Sequence, residues 1–193
     1  FHPLKTITTG EGGLVTTNNK TLFNKLKIIR SVGIKRTKFK HWDYDVIFNS
    51  LNFRLTDFQC ALGISQLRKI GQFIKKRKKI FTNYNKFLSK IKSIEIPNHN
   101  KQYKSSHHLY LIHLKKFNLK MKENFIKYML KKKITLQYHY IPIHKFKIFQ
   151  KTDKFISNET QVYYNTTVSL PIYYNLKEKQ QNYIIKCIKK FFD

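Results

Sequence analysis

Phe1-His2-Pro3-Leu4-Lys5-Thr6-Ile7-Thr8-Thr9-Gly10-Glu11-Gly12-Gly13 is the stretch from which the fold is read. Its β-branched run over residues 5–9 predicts a short strand end. Gly10-Glu11-Gly12-Gly13 predicts a turn with unusual backbone freedom. Leu14-Val15-Thr16-Thr17 predicts a second short strand, so a hairpin is expected. The turn lacks the Lys-Ser/Thr pair of a P-loop and the strand–G-x-G-x-x-G–helix setting of a dinucleotide site. Lys5 is one of 34 lysines, and by residue type alone it reads as a surface side chain. A lysine at a dry strand end can nevertheless lose its proton readily and form a Schiff base.

Outward from this stretch, Asn18 or Asn19 predicts the cap of a helix over about residues 20–31. Leu22, Leu26 and Ile29 share one face, and Gly33 stands at the C-cap. Residues 34–54 read as a long polar connection with Trp42, Tyr44 and Phe48, a length usually reserved for function or an interface. Thr56 and Gln59 form a capping box for a helix through Leu67. Gly71 predicts a bend. Apolar positions then recur every three to four residues to Ile91, with Lys75-Lys76-Arg77-Lys78-Lys79 read mainly as a solvated face. Strands are expected at Ser93–Ile96, Ser105–Leu114 and Ile134–Tyr140, and helices over residues 121–132 and 158–166. Val168-Ser169-Leu170-Pro171 precedes a final helix capped by Asn175. The order from residue 93 is that of a small α/β domain on a long connecting helix.

Composition narrows the function. Lys and Arg number 39 against 10 Asp and Glu, a formal charge of +29 that points to polyanion partners. Yet Lys, Asn, Ile, Phe and Tyr make up 100 of the 193 residues, and all five have codons built from A and T alone. Only 5 of the basic residues are Arg, the residue on which phosphate and base recognition leans. The charge therefore reads largely as base composition, with a basic nucleic-acid-binding module kept as an alternative. Aromatics at 15% and apolar residues at 41% exclude a disordered basic tail. No apolar run approaches the roughly 18 residues of a membrane span. Cys60 and Cys187 build no disulfide framework, and no zinc spacing exists. A cytoplasmic protein with no membrane partner and no bound metal is expected.

Four ordered segments together resemble one family. Residues 1–13 resemble the lysine motif of the DegT-like nucleotide-sugar aminotransferases, pyridoxal 5'-phosphate (PLP) enzymes of fold type I. Asn52-Phe53-Arg54-Leu55-Thr56-Asp57-Phe58-Gln59-Cys60-Ala61-Leu62-Gly63 resembles the family's Asn-aromatic-Arg segment and the helix after it. Ser105-Ser106-His107-His108-Leu109-Tyr110 and Gln137-Tyr138-His139-Tyr140-Ile141-Pro142-Ile143 resemble its small-domain strands. Ser169-Leu170-Pro171 resembles its closing element. The Phe-His-Pro start and the Gln-x-His-Tyr-x-Pro-Ile string are closest to the branch that makes the 4-amino-sugar precursor of pseudaminic acid.

This resemblance implies an α/β fold: the C-terminal part of a fold type I PLP-dependent transferase. Residues 1–69 would be the end of the PLP-binding large domain, and residues 70–193 the connecting helix and small domain. Lys5 would hold PLP as a Schiff base and serve as base and acid in the proton shift. Asn52 would bind cofactor phosphate or substrate in the neighbouring subunit of a homodimer with shared active sites. Gln137, Tyr138, His139 and Tyr140 would line the sugar-nucleotide side. The implied reaction moves an amino group from an amino-acid donor, glutamate, to C4 of a UDP-linked 4-keto-6-deoxy-N-acetylhexosamine. The family's Asp for the pyridine nitrogen, its ring-stacking aromatic and its phosphate-binding turn all lie upstream of the motif at Lys5. A C-terminal half, inactive alone, is therefore expected, with a decayed non-catalytic remnant as a further alternative. Leu51 and His107 depart from the residues common at their positions.

Overall fold

The computed structural model describes residues 1–36, 42–97, 102–116, 118–149 and 157–193. The chain divides into two compact units, Phe1–Ile70 and Gly71–Asp193, and the division falls inside one helix.

In the first unit, helix α1 spans Lys20–Arg30, and the Asn19 side chain caps it by accepting the Leu22 N–H at 3.0 Å. It ends where Gly33, at φ +74°, donates its N–H to the Ile28 carbonyl at 3.0 Å. A Cβ at Gly33 would lie 1.9 Å from the Phe48 carbonyl oxygen, so only glycine lets the two backbones meet. That close approach organises part of the segment read as a plain connection. Strands β1 (Ile34–Arg36) and β2 (Tyr44–Val46) pair antiparallel, Ile34 opposite Val46. Residues 37–41 of that segment lie outside the described residues. Helix α2 spans Asp57–Leu88. The capping box is present: Gln59 Oε1 accepts the Thr56 N–H at 2.9 Å, and Thr56 Oγ1 accepts the Gln59 N–H at 3.3 Å.

The hairpin expected over residues 5–17 does not form. Thr8 Oγ1 donates to the Phe1 carbonyl at 2.8 Å and accepts the Gly10 N–H at 2.9 Å. Thr9 Oγ1 donates to the Glu11 carbonyl at 2.5 Å. These local side-chain bonds give the backbone an alternative to a ladder. Helix α2 runs unbroken through Gly71. Gly71 meets no neighbour within 4 Å, and its helix-propensity cost of about 1 kcal/mol is small against the apolar face that α2 buries beyond it.

The second unit carries an apolar core. Strands β3 (Ile94–Glu95), β4 (Tyr110–Leu114) and β5 (Thr167–Leu170) form an antiparallel sheet in the order β3-β4-β5. Tyr110, Ile112 and Leu114 point inward at alternate positions of β4. Helix α3 spans Leu119–Lys131, α4 spans Asn158–Thr166 and α5 spans Glu178–Phe192. Ile80, Phe81, Tyr84 and Leu88 of α2 pack with Phe125 and Met129 of α3 and Ile184, Ile185 and Ile188 of α5. Each such side chain contributes roughly 1.5–3 kcal/mol on burial. α5 begins at Glu178 rather than from an Asn175 cap, because Gln180 Oε1 accepts the Lys177 N–H at 3.0 Å.

Two expectations change here. Ile134–Tyr140 is not a strand; only Gln137 pairs, in an isolated bridge with Ser169. Lys133 at φ +60° turns the chain in, and the side-chain pair between His139 and Ser169 takes the place of further ladder bonds. Arg77 does not share the solvated face of its lysine neighbours. It is buried, and Nη1 donates to the carbonyls of His108 and Ile172 at 3.1 and 2.9 Å, with the His107 carbonyl farther off at 3.5 Å.

Candidate functional site

Lys5 stands in a closed loop. Its own N–H donates to the His2 carbonyl at 3.0 Å, and the Thr9 N–H donates to the Phe1 carbonyl at 3.1 Å. The Phe1 backbone nitrogen lies 2.6 Å from the Gly12 carbonyl oxygen. The loop is pinned to α2 at two points. Gln59 Nε2 donates to the Glu11 carbonyl at 3.4 Å, and Thr9, itself buried, lies so close to Gly63 that a Cβ there would sit 2.9 Å from Thr9 Cγ2. Gly12, at φ +133°, permits the approach of Leu55, whose Cδ2 lies 2.6 Å from the place of a Cβ. The Lys5 side chain is exposed, a primary amine at the head of a braced loop rather than one at a dry strand end.

Asn52 lies in the same unit. Residues 50–53 are stapled to the end of α1: Ser50 Oγ donates to the Ile29 carbonyl at 2.7 Å and the Phe53 N–H to the Arg30 carbonyl at 3.0 Å. The Asn52 side chain is oriented by Arg54, whose Nε donates to Asn52 Oδ1 at 3.0 Å. Among the described residues of this unit only Thr9 and Gly33 are buried. Phe53, Phe58 and Leu67 each keep more than half their surface exposed.

Gln137, Tyr138, His139 and Tyr140 lie in the second unit. The Gln137 N–H donates to the Ser169 carbonyl at 3.2 Å and the Gln137 carbonyl accepts the Ser169 N–H at 2.9 Å, which lays the segment along β5. His139 Nδ1 and Ser169 Oγ share a hydrogen bond of 2.5 Å. Tyr140 is exposed, and the Tyr138 ring stacks on that of Tyr164 with centroids 6.0 Å apart. Burial pushes the Tyr138 phenol above its usual value, with Tyr164 and Glu123 adding to the rise. Sequence reasoning did not find Ser169 as the partner of His139, Arg77 as a buried clamp, or Lys122 beneath Tyr138. Arg77 alone gave a signal, by falling on the apolar face of α2.

A family model covers residues 1–189, that of the DegT/DnrJ/EryC1/StrS aminotransferases. The chain belongs to this family. It is 36% identical over 188 residues to a UDP-4-amino-4,6-dideoxy-N-acetyl-beta-L-altrosamine transaminase of Campylobacter jejuni, covering 95% of this chain and 49% of the relative. Its fold matches that of Helicobacter pylori PseC, an aminotransferase involved in the biosynthesis of pseudoaminic acid, with a TM-score of 0.91 and 31% identity over 100% of this chain and 52% of that one. The PLP-form of the putative sugar aminotransferase Spr1654 from Streptococcus pneumoniae shares the fold at a TM-score of 0.86 and 22% identity, over 98% of this chain and 50% of that one. The chain spans about half the length of the curated relatives it matches. The family is one of sugar aminotransferases, generally PLP-dependent. The α/β fold expected from the sequence, as part of a PLP transferase, is the fold found. Among the described residues, no helix is long and apolar enough to cross a membrane and no cluster of His, Cys, Asp and Glu suits a metal ion.

Proposed function

We propose that this chain supplies the C-terminal half of a PLP-dependent aminotransferase acting on a UDP-linked 4-keto-6-deoxy-N-acetylhexosamine, with glutamate as amino donor, in the cytoplasm. The observation that carries the reading is Lys5 in the Phe-His-Pro-Leu-Lys motif, on a loop braced to α2, in a chain similar to transaminases of that kind. Residues 1–69 would close the large domain and residues 70–193 form the small one. The near absence of buried side chains in the first unit supports this, since such a unit needs further chain to cover its apolar faces.

The residues present fit the covalent end of the cofactor: an accessible primary amine in a loop whose backbone bonds fix its root. When bound, PLP supplies the electron sink for amino-group transfer. Lys5 Nζ would hold it and would also hold and return the migrating proton; only a primary amine performs both tasks. Asn52, held by Arg54, offers its amide N–H donors to phosphate or substrate in a homodimer with shared sites. Gln137, Tyr138, His139 and Tyr140 orient the sugar nucleotide, with His139 fixed by Ser169. The test joins this chain to the upstream half of a relative and follows 2-oxoglutarate formation from glutamate with the 4-keto sugar nucleotide. Turnover abolished by Lys5→Ala and not restored by Lys5→Arg is expected; undiminished turnover in Lys5→Ala rejects the assignment.

A further inference from the structure

Lys122 has no accessible surface, although it is a lysine near the start of α3. A buried ammonium has three protons to satisfy. One goes to the carbonyl of Tyr164. That carbonyl belongs to the last turn of α4, where intrahelical partners run out and the helix dipole favours a cation. The other two protons face aromatic rings: Nζ lies 4.4 Å from the Tyr138 centroid and 4.3 Å from that of Tyr164. With no exposed surface the side chain cannot reach out to water, as long lysines at a core edge usually do. It ties together α3, the end of α4 and the segment that carries Tyr138.

We propose that Lys122 is the positioning residue of the Gln137–Tyr140 segment: its enclosed ammonium, tethered to α4, fixes the Tyr138 ring by a desolvated cation–π contact and thereby sets the face offered to the sugar nucleotide. The inference rests on the reading above that this segment meets that substrate. The charge of Lys122 is itself adjustable. Burial lowers its ammonium to about 8, opposed by Glu123 on the same helix and assisted by Lys145, which lies over the other partner ring, Tyr164. The Tyr138 phenol, raised by burial, stays protonated through that range. The contact is made by the ammonium and weakens as pH rises through about 8.

The test uses the 193-residue chain without cofactor or substrate, so that its outcome does not depend on transaminase activity. Tyr138 ring resonances are followed by NMR against pH, and backbone exchange is mapped by mass spectrometry. In the unsubstituted chain the Tyr138 ring signals shift with a midpoint near pH 8. Lys122→Arg, charged throughout, removes that midpoint while keeping exchange at residues 137–140 slow. Lys122→Met removes the midpoint and speeds exchange at those residues by about tenfold, leaving β4 and α5 unchanged. If Lys122→Met fails to fold, the unsubstituted chain and Lys122→Arg decide alone. Tyr138 signals flat through pH 8, or exchange that rises equally over the whole second unit, overturns the positioning role.

Discussion

Replacing Arg77 by Met is the perturbation whose cost the geometry bounds best. The aliphatic stem is retained in part, while the guanidinium and its bonds to the His108 and Ile172 carbonyls at 3.1 and 2.9 Å are lost. The bond to the His107 carbonyl, at 3.5 Å, is too long to count. A hydrogen bond from a charged donor is worth about 1.5–3 kcal/mol net. Two give about 3–6 kcal/mol, and both carbonyls are left without this donor. Against this stands the desolvation of the guanidinium, visible in its lowered pKa and relieved in the variant. A net loss of about 3 kcal/mol is expected, with Arg77→Lys, able to reach one carbonyl, losing about half as much. Urea unfolding followed by far-UV circular dichroism measures both. The midpoint falls while the slope is unchanged, and Tm drops by about 10 °C for a domain of this size. A loss under about 1 kcal/mol for Met, or equal losses for Met and Lys, would refute the clamp.

Three further outcomes are expected. Gly33→Ala places a Cβ 1.9 Å from the Phe48 carbonyl at φ +74°; it costs more than about 2 kcal/mol and changes the fluorescence of Trp42, the sole tryptophan, near β2. Gly12→Ala meets Leu55, a flexible neighbour, so its cost is smaller, about 1 kcal/mol, and shows as faster proteolysis or exchange within residues 1–13. Burial raises the phenols of Tyr84 and Tyr110 above their ordinary value, so their stabilisation is complete below pH about 10 and is lost as pH rises beyond it. Lys122 acts oppositely: its lowered value makes stability rise with pH from about 8 until the unfolded lysine also titrates. Thermal unfolding across alkaline pH should show the rise first and the fall after it.

The helices were legible because their signals are local. Asn19 and the Thr56/Gln59 box cap helices with side chains that need no distant partner. Residues 158–166 were bounded as found. The strands were legible in part: β3 and β4 fall inside the expected strands at Ser93–Ile96 and Ser105–Leu114, while β1 and β2 lie in the segment read as a connection, since a strand exists only by its pairing. Residues 5–9 carry β-branched chemistry, but their threonines bond to nearby backbone. Residues 134–140 carry it too, but only Gln137 meets β5. Lys5 was visible only as part of a motif; among 34 lysines nothing in its own neighbourhood distinguished it. Lys122 was hidden for the reverse reason. Its environment is built by Tyr138 and Tyr164, which lie 16 and 42 residues away along the chain.

The central claim is that Lys5 is the cofactor-bearing lysine. Borohydride reduction of the completed, PLP-loaded protein, followed by peptide mapping, tests it most directly. The account predicts one phosphopyridoxyl group, fixed to Lys5 and absent from Lys5→Ala. A group fixed to another lysine, or spread over the exposed lysines with Lys5 unmarked, would contradict it.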